Sequence, residues 1–261
     1  MSNPPARTRS RLAAVAAPVA VLVIAVVATI WLALAQGASP AGPGGPTTGP
    51  QSSSGTASQG TAAPTQGSDP ASALARRIPG DPTALGKVDA PVVMVAYSEF
   101  QCPFCGKFAR TTEKELIKRY VDTGVLRIEW RDFPYLGPES LTAAKAARAA
   151  AAQGKFWAYH DALYAHQPGV NTGRITPAYL TGVAKTLGLN LGEFTKAMDS
   201  PATAQAVAKD FQEGQDIGVT GTPAFVINGE PIIGAQPLDV FTQVVDAKAR
   251  AADQPPSGGS S

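Results

Sequence analysis

Two cysteines, Cys102 and Cys105, are the only cysteines in the 261-residue sequence, and just two residues separate them. They follow the apolar, valine-rich stretch "APVVMVAY" (Ala90–Tyr97), whose composition predicts a buried strand. Pro103 comes directly after the first cysteine, and proline suits the first helical position, where no backbone donor is needed. The sequence therefore predicts a strand that leads into a helix, with Cys102 at the helix N-terminus.

This placement gives the two thiols different chemistry. The amide hydrogens and the positive dipole end at a helix N-terminus favour a thiolate, so we assign Cys102 as nucleophile and Cys105, one turn later, as the resolving thiol. A structural disulfide would close too short a loop to constrain the unfolded chain much. Zinc needs about four ligands, and the only histidines, His160 and His166, are six residues apart and do not share a helical face. We therefore predict a redox-active pair, with no metal and no other cofactor.

The pattern around the cysteines predicts alternating strands and helices. Apolar residues at three- and four-residue spacing predict a helix that runs on to about Tyr120, and Val125–Phe133 reads as a second strand. Helices are predicted next, then a β-hairpin, then a last helix. The helices are Leu141–Ala152, Phe156–His166, Pro177–Leu187, Leu191–Asp199, Ala202–Ile217 and Leu238–Arg250, and the hairpin turns at Asn228-Gly229.

The N-terminal segment predicts export. Three arginines within residues 1–11 precede the uncharged apolar run Leu12–Ala35, which has the length of a membrane span and the orientation of a signal-anchor with a cytoplasmic N-terminus. A cleaved signal peptide is the alternative, because Ala33–Ala35 has the small-x-small pattern of a cleavage site. Either way, the remainder is expected to be extracytoplasmic, and the anchored form would be a single-pass protein of the cell membrane.

Composition divides the rest of the chain. Residues 36–72 are rich in Gly, Pro, Ser and Thr and predict a disordered linker, residues 73–250 predict one globular domain, and residues 251–261 predict a flexible tail. Without the three N-terminal arginines, 19 basic residues face 20 acidic ones. This balance offers no basic surface for nucleic acid.

Four motifs together resemble the DsbA-like thiol-disulfide oxidoreductases. The resemblance implies an α/β thioredoxin fold with an inserted helical subdomain at about residues 138–217, preceded here by the predicted transmembrane helix. It extends over roughly Asp81–Arg250. The motifs are "EFQCPFC", "RDFP" (Arg131–Pro134), "QGKFWAYHDALY" (Gln153–Tyr164) and "GVTGTPAFVINGEPIIGA" (Gly218–Ala235).

The resemblance also implies site residues beyond the cysteines. Thr222–Pro223 is expected to be a cis bond beside the dithiol, with the backbone of Thr222 free to pair with an extended substrate strand. Pro103 and Phe104 form the dipeptide that tunes the redox pair. The best-known strong oxidant of the family has a histidine where Phe104 stands, so its extreme oxidising power is not implied here.

Glu99, three residues before Cys102, is the nearest ionisable side chain. Buried beside the dithiol, it would accept or relay the proton of Cys105; as a solvated carboxylate at the strand end, it would have no role. Family members often carry their acidic residue six positions before the first cysteine, where this sequence has Ala96. The sequence leaves both interpretations open.

We therefore predict an extracytoplasmic dithiol oxidase that forms disulfides in cysteine-containing exported proteins. By resemblance, a quinone-linked membrane thiol oxidase of the DsbB or vitamin-K-epoxide-reductase (VKOR) type would re-oxidise it, and a monomer is expected. A membrane-tethered disulfide reductase or isomerase is the alternative. A metallochaperone or a redox-inert holdase are less favoured, because neither explains the motifs around "CPFC".

Overall fold

The computed structural model describes residues 74–254 of the protein. The predicted basic segment, anchor and linker, and the last seven residues of the predicted tail, lie outside the described residues. Within the described part, none of the helices combines the length and the apolar composition that a membrane crossing requires.

A five-stranded mixed sheet forms the centre of the domain. Its order is β1-β3-β2-β4-β5, with β2 parallel to β3 and the other neighbours antiparallel. Strands β2 and β3 are buried throughout. Burial on both faces explains the continuous apolar run of β2, whereas β3 alternates apolar with charged residues and buries both sets. The strands are β1 (Ala84–Leu85), β2 (Val92–Ser98), β3 (Leu126–Asp132), β4 (Ala224–Ile227) and β5 (Glu230–Ile233).

Eight α-helices accompany the sheet in the described residues, and five of them, α3 to α7, lie between β3 and β4 as a helical insertion. The predicted strand–helix–strand beginning and hairpin–helix end are confirmed, whereas the two-residue β1 is too short to leave a sequence pattern and was not predicted. The helices are α1 (Pro103–Arg110), α2 (Thr112–Leu116), α3 (Pro138–Ala151), α4 (Phe156–Ala165), α5 (Pro177–Thr186), α6 (Leu191–Met198), α7 (Pro201–Asp216) and α8 (Leu238–Asp253).

The prediction of one unbroken helix from the cysteines to Tyr120 is wrong, because the helix is interrupted at Thr111. Helix α1 ends at Arg110, and Thr111 leaves the helical region with φ −125° and ψ −81°. The Thr111 hydroxyl donates to the Lys107 carbonyl at 2.8 Å, a local bond that competes with the helix and bends it. The chain continues through α2 into a π-helical turn, Ile117–Val121.

Two other helices extend past their predicted ends. Helix α3 begins at Pro138 rather than at Leu141, because proline fits the first helical turn without losing a hydrogen bond. Helix α8 continues to Asp253, so the first residues assigned to the flexible tail are helical.

The dithiol lies where the insertion packs on the sheet. One apolar cluster joins Phe100, Cys102 and Cys105 to the buried alanines of α3 and to aromatic side chains of α4. Alanine leaves little bulk on the α3 surface, so neighbouring helices approach it closely. Phe156 and Tyr164, at the two ends of α4, are buried. The turn that carries the two cysteines is therefore enclosed by helices that are distant from it in sequence.

A buried carboxylate in β3 ties the sheet to the segment before β1. Glu129, in β3, accepts from Arg127 at 2.9 Å and Arg131 at 3.0 Å, and from the backbone amides of Arg76 and Arg77 at 2.9 and 2.8 Å. Burial by itself raises the pKa of Glu129, but these donors outweigh it and lower the pKa to about 2. The ionised carboxylate is therefore the stable form in the folded protein.

We expect Glu129→Gln to lower the free energy of unfolding by about 3 kcal/mol at pH 7, because it leaves buried guanidinium groups without their partner. Acidification should erase this difference. The depressed pKa gives stability that is present above the ordinary value of 4.5 and lost as the pH falls toward about 2. Urea denaturation between pH 7 and 2 measures both effects.

Glu115→Gln is the matched control, because Glu115 pairs with Arg119 on the exposed helix surface and should change stability by less than about 1 kcal/mol. Equal effects of the two substitutions would contradict the role assigned to Glu129.

Candidate active site

The turn between β2 and α1 carries the two cysteines. Strand β2 ends at Ser98, and Cys102 has an extended backbone (φ −68°, ψ 119°) as the residue that precedes the first turn of α1, where Pro103 follows. Both thiols are free. Both cysteines are buried, with exposed fractions of 2% for Cys102 and 1% for Cys105.

The loop before β4 covers Cys102. The Thr222–Pro223 bond is cis, as the resemblance implied. The Cys102 thiol donates to the Thr222 carbonyl, with Sγ and O 3.2 Å apart, and Thr222 is itself buried. The structure thus brings together Cys102, Cys105, Thr222 and Pro223, which lie in two distant parts of the sequence.

The two thiols differ in acidity. Hydrogen bonding from Cys105 lowers the pKa of the Cys102 thiol to about 6, although burial acts in the opposite direction. The backbone amides of Cys105 and Phe104 contribute to the same lowering, as expected at a helix N-terminus. Burial raises the pKa of Cys105 well above its ordinary value, and the neighbouring Cys102 adds to this rise. Near neutral pH, the reduced site holds one thiolate and one thiol.

Glu99 is buried, with an exposed fraction of 2%, so the solvated interpretation of this residue is wrong. One carboxylate oxygen, Oε2, accepts from the Ser140 hydroxyl and from the Gln101 amide. The other, Oε1, is buried without a hydrogen-bond partner among the described residues. Burial raises the pKa of Glu99 to about 7, because the effect of desolvation is larger than the lowering by these donors. The charge of Cys102 adds to the rise.

The sequence analysis did not predict several polar side chains that lie at the site. The Tyr164 hydroxyl donates to the Glu99 carbonyl at 2.9 Å and lies 3.2 Å from Ser98 Oγ. A hydrogen bond from the Ser98 side chain lowers the pKa of Cys105, but this effect is smaller than the rise caused by burial. Gln101 donates to Ser140 at 2.7 Å. The position of Ser98 and Gln101 next to the cysteine motif could have indicated a role at the site. Their partners could not have been found in this way, because they come from the helical insertion.

The two residues between the cysteines face outward. Pro103 is exposed, and Phe104 has an exposed fraction of 62%. Tyr135, also exposed, places its hydroxyl 3.9 Å from the position that a Cβ on Gly221 would take. Apolar side chains are therefore present on both sides of the buried thiols, at α1 and beside the loop with the cis bond.

The histidines occupy different settings. His166 is exposed at the end of α4. His160 is buried, with Nδ1 2.9 Å from Asp161 and Nε2 3.7 Å from Glu113, and these three side chains form a group of possible metal ligands in the described part of the chain. Asp161 already engages Nδ1, which leaves one ring nitrogen and one buried carboxylate, fewer than the four ligands of a structural zinc site.

Comparisons with known proteins agree with this geometry. A family model described as Thioredoxin matches residues 79–247. The solved structure of oxidised BdbD from Bacillus subtilis has a TM-score of 0.61 and 25% identity, covering 66% of this chain and 94% of BdbD. The probable disulfide bond formation protein D of Bacillus cereus is 31% identical over 150 residues, 56% of this chain and 69% of that protein.

The chain therefore belongs to the DsbA-like, thioredoxin-fold family of thiol-disulfide oxidoreductases. A second kind of relative is larger. The Na(+)/H(+) antiporter NhaA 3 of Salinispora tropica is 35% identical over 187 residues, which are 70% of this chain and 27% of the antiporter. The chain thus spans about a quarter of the length of such relatives. The antiport in their name is an activity of those proteins and is not assigned to this chain.

We expect the reaction rate of reduced Cys102 with iodoacetamide to rise with pH along a curve centred at about 6, because only the thiolate is nucleophilic. Cys105→Ala should move the midpoint upward, since it removes the hydrogen bond that contributes most to the lowering. Mass-spectrometric alkylation rates between pH 4 and 9 measure both.

Gln153→Met is the control variant, because Gln153 contacts Asn190 within the insertion and should leave the midpoint unchanged. A midpoint for the native protein near the ordinary thiol value of 9.0 would contradict the acidity assigned to Cys102.

Proposed function

We propose that this protein is an extracytoplasmic dithiol oxidase that forms disulfides in exported proteins through the Cys102–Cys105 pair. The observation that carries the proposal is the placement of the Cys102 sulfur directly before the first turn of α1 and 3.2 Å from the Thr222 carbonyl, with which the difference in acidity between the two thiols agrees. Stabilising the Cys102 thiolate stabilises the reduced form, and a stable reduced form makes the disulfide a stronger oxidant. The name of the Bacillus cereus relative, which refers to disulfide bond formation, supports the same direction.

The oxidised pair would react in two exchange steps. A substrate thiolate attacks the Cys102 sulfur, the Cys102–Cys105 bond breaks, and Cys105 leaves as a thiolate that takes up a proton. The second substrate thiolate then attacks the substrate sulfur of the mixed disulfide and releases Cys102 as a stable thiolate. Two electrons pass to the protein. The substrate gives up two protons, of which one stays on Cys105 and one goes to solvent.

Glu99 is proposed as the group that relays the proton of Cys105. Three features support this role: its burial close to the dithiol, an Oε1 that has no hydrogen-bond partner among residues 74–254, and a pKa of about 7, which lets the carboxyl group exist in both forms near neutral pH. When protonated, it supplies a proton to the departing Cys105; when ionised, it accepts one as the pair is re-oxidised.

Substrate contact is proposed at the loop before β4. An extended substrate segment that pairs with the backbone of Thr222 would replace the Cys102 thiol as partner of that carbonyl, and would bring the substrate cysteine to Cys102. Exposed Phe104 and Tyr135 offer apolar contacts beside this point, which suits unfolded cysteine-containing chains. Pro103 and Phe104 are proposed to tune the pair from its solvent side.

The remaining parts of the proposal come from sequence and resemblance. The apolar segment 12–35 would anchor the protein in the cell membrane with the catalytic domain outside, and residues 36–72 would tether that domain near a membrane partner. That partner is proposed to be a quinone-linked thiol oxidase of the DsbB or VKOR type, which would return the dithiol to the disulfide. The domain is proposed to act as a monomer.

The reduction potential of the full chain, equilibrated with glutathione buffers in detergent, tests the direction of the reaction. We expect a value in the range of oxidising catalysts, about −120 to −200 mV. A value of about −270 mV, as in thioredoxin, would overturn the oxidase proposal in favour of a reductase.

Glu99→Gln tests the proton relay. Because the protonated carboxyl would assist Cys105 as a leaving group, the native protein should oxidise a dithiol peptide about a hundredfold faster than the variant below pH 6. The advantage should disappear as the pH rises through about 7. Stopped-flow rates at several pH values measure the ratio.

Glu193→Gln, at an exposed carboxylate in the first turn of α6, is the matched control and should behave as the native protein at every pH. A ratio for Glu99→Gln that does not change with pH would argue against a proton-relay role.

A further inference from the structure

One side chain of the insertion reaches the backbone of the active-site turn. Gln167 lies in the connection between α4 and α5, and its amide nitrogen Nε2 donates to two carbonyls, that of Phe100 at 2.9 Å and that of Cys102 at 2.8 Å. These carbonyls lie on either side of Gln101. Both hydrogens of one amide group are thus directed at the turn from which α1 starts.

The Cys102 carbonyl has a second partner inside the helix. It accepts from the Gly106 amide at 3.1 Å, which is the bond that closes the first turn of α1. Gln167 therefore donates to the same carbonyl oxygen that accepts the first hydrogen bond of α1, and it restrains the orientation of the peptide that follows Cys102. The Phe100 bond fixes the chain on the other side of that residue.

Gly106 makes the approach of Gln167 possible. A Cβ at this position would lie 2.3 Å from Gln167 Oε1 and 2.7 Å from Arg110 Nη1, far closer than packed atoms approach each other. The φ of Gly106 is not in the left-handed region, so the need for glycine here comes from space and not from backbone conformation. Arg110 continues the contact, because its Nη1 donates to the Tyr164 carbonyl at the end of α4 at 2.7 Å.

We propose that Gln167, seated over Gly106, is a positioning residue that holds the Cys102–Cys105 turn in the geometry that the thiolate needs, so that the helical insertion sets the reactivity of the dithiol. The inference rests on the proposed dithiol chemistry. Its physical basis is that the sulfur of Cys102 is stabilised by donors at the start of α1, and that these donors keep their distance to the sulfur only while the first peptide of the helix keeps its orientation. Gln167 restrains that peptide from outside the helix.

The test begins with Gln167→Met, which keeps the side-chain length but removes the amide donors. In the reduced full chain, solubilised in detergent, the thiolate absorbance at 240 nm is followed against pH. The midpoint for Cys102 should rise by about one pH unit, which means about tenfold less thiolate at pH values below the native midpoint. Thermal unfolding of the same samples records any loss of stability.

Gly106→Ala should produce a shift in the same direction, because the added Cβ displaces Gln167 from the turn. The double variant should shift no further than the larger single one, since both changes break one contact. Gln153→Met and Gly182→Ala are the matched controls: Gln153 contacts Asn190 within the insertion, and a Cβ on Gly182 meets no atom within 4 Å in the part of the chain that the structure describes. Neither should move the midpoint.

A native midpoint in folded Gln167→Met overturns the inference, even if the melting temperature falls, because the contact would then support the fold alone. Strictly additive shifts in the double variant also overturn it. If Gln167→Met does not fold, Gln167→Asn, which keeps the amide but withdraws it by one methylene, decides by the same titration. Failure of the native protein to exchange disulfides with a peptide would instead refute the proposed function, and the titration would still report on Gln167.

Discussion

The packing of the Cys102 sulfur against the Thr222 backbone, with Sγ 3.2 Å from the carbonyl oxygen, joins two parts of the chain that are 120 residues apart, and the assembly of the site depends on it. It exists because β2 and β4 are antiparallel neighbours, with Tyr97 opposite Ala224 in register. The end of β2 and the beginning of β4 therefore meet at the same edge of the sheet. The order of strands, more than any single side chain, places the loop with the cis bond against the dithiol.

Burial at this junction acts differently on each ionisable group. It raises the pKa of Cys105 and of Glu99, because both would carry a charge in surroundings that solvate it poorly. Cys102 is as buried as they are, but the donors around its sulfur reverse the effect. The enclosure thus raises the proton affinity of Cys105 far above that of Cys102.

Much of the architecture was predictable, because it rests on local patterns. The strand before the cysteines, the hairpin at Asn228-Gly229 and the alanine-rich helix α3 all have the periodicity, turn residues or composition that specify them. The short β1 and the break at Thr111 were missed. A two-residue strand is defined by its neighbour in the sheet, and a helix broken by one hydroxyl keeps the apolar spacing of an unbroken one.

The sequence by itself determined that a cysteine pair begins a helix after a buried strand, which is enough to propose Cys102 and Cys105 as a redox pair with Cys102 as its nucleophile. It left Glu99 undecided between a solvated and a buried carboxylate, and it gave no reason to connect Gln167 with Gly106. Only the tertiary structure decided these points. Burial and close approach depend on surfaces contributed by the helical insertion, whose residues lie tens of positions from the cysteines, whereas local patterns report on neighbours along the chain.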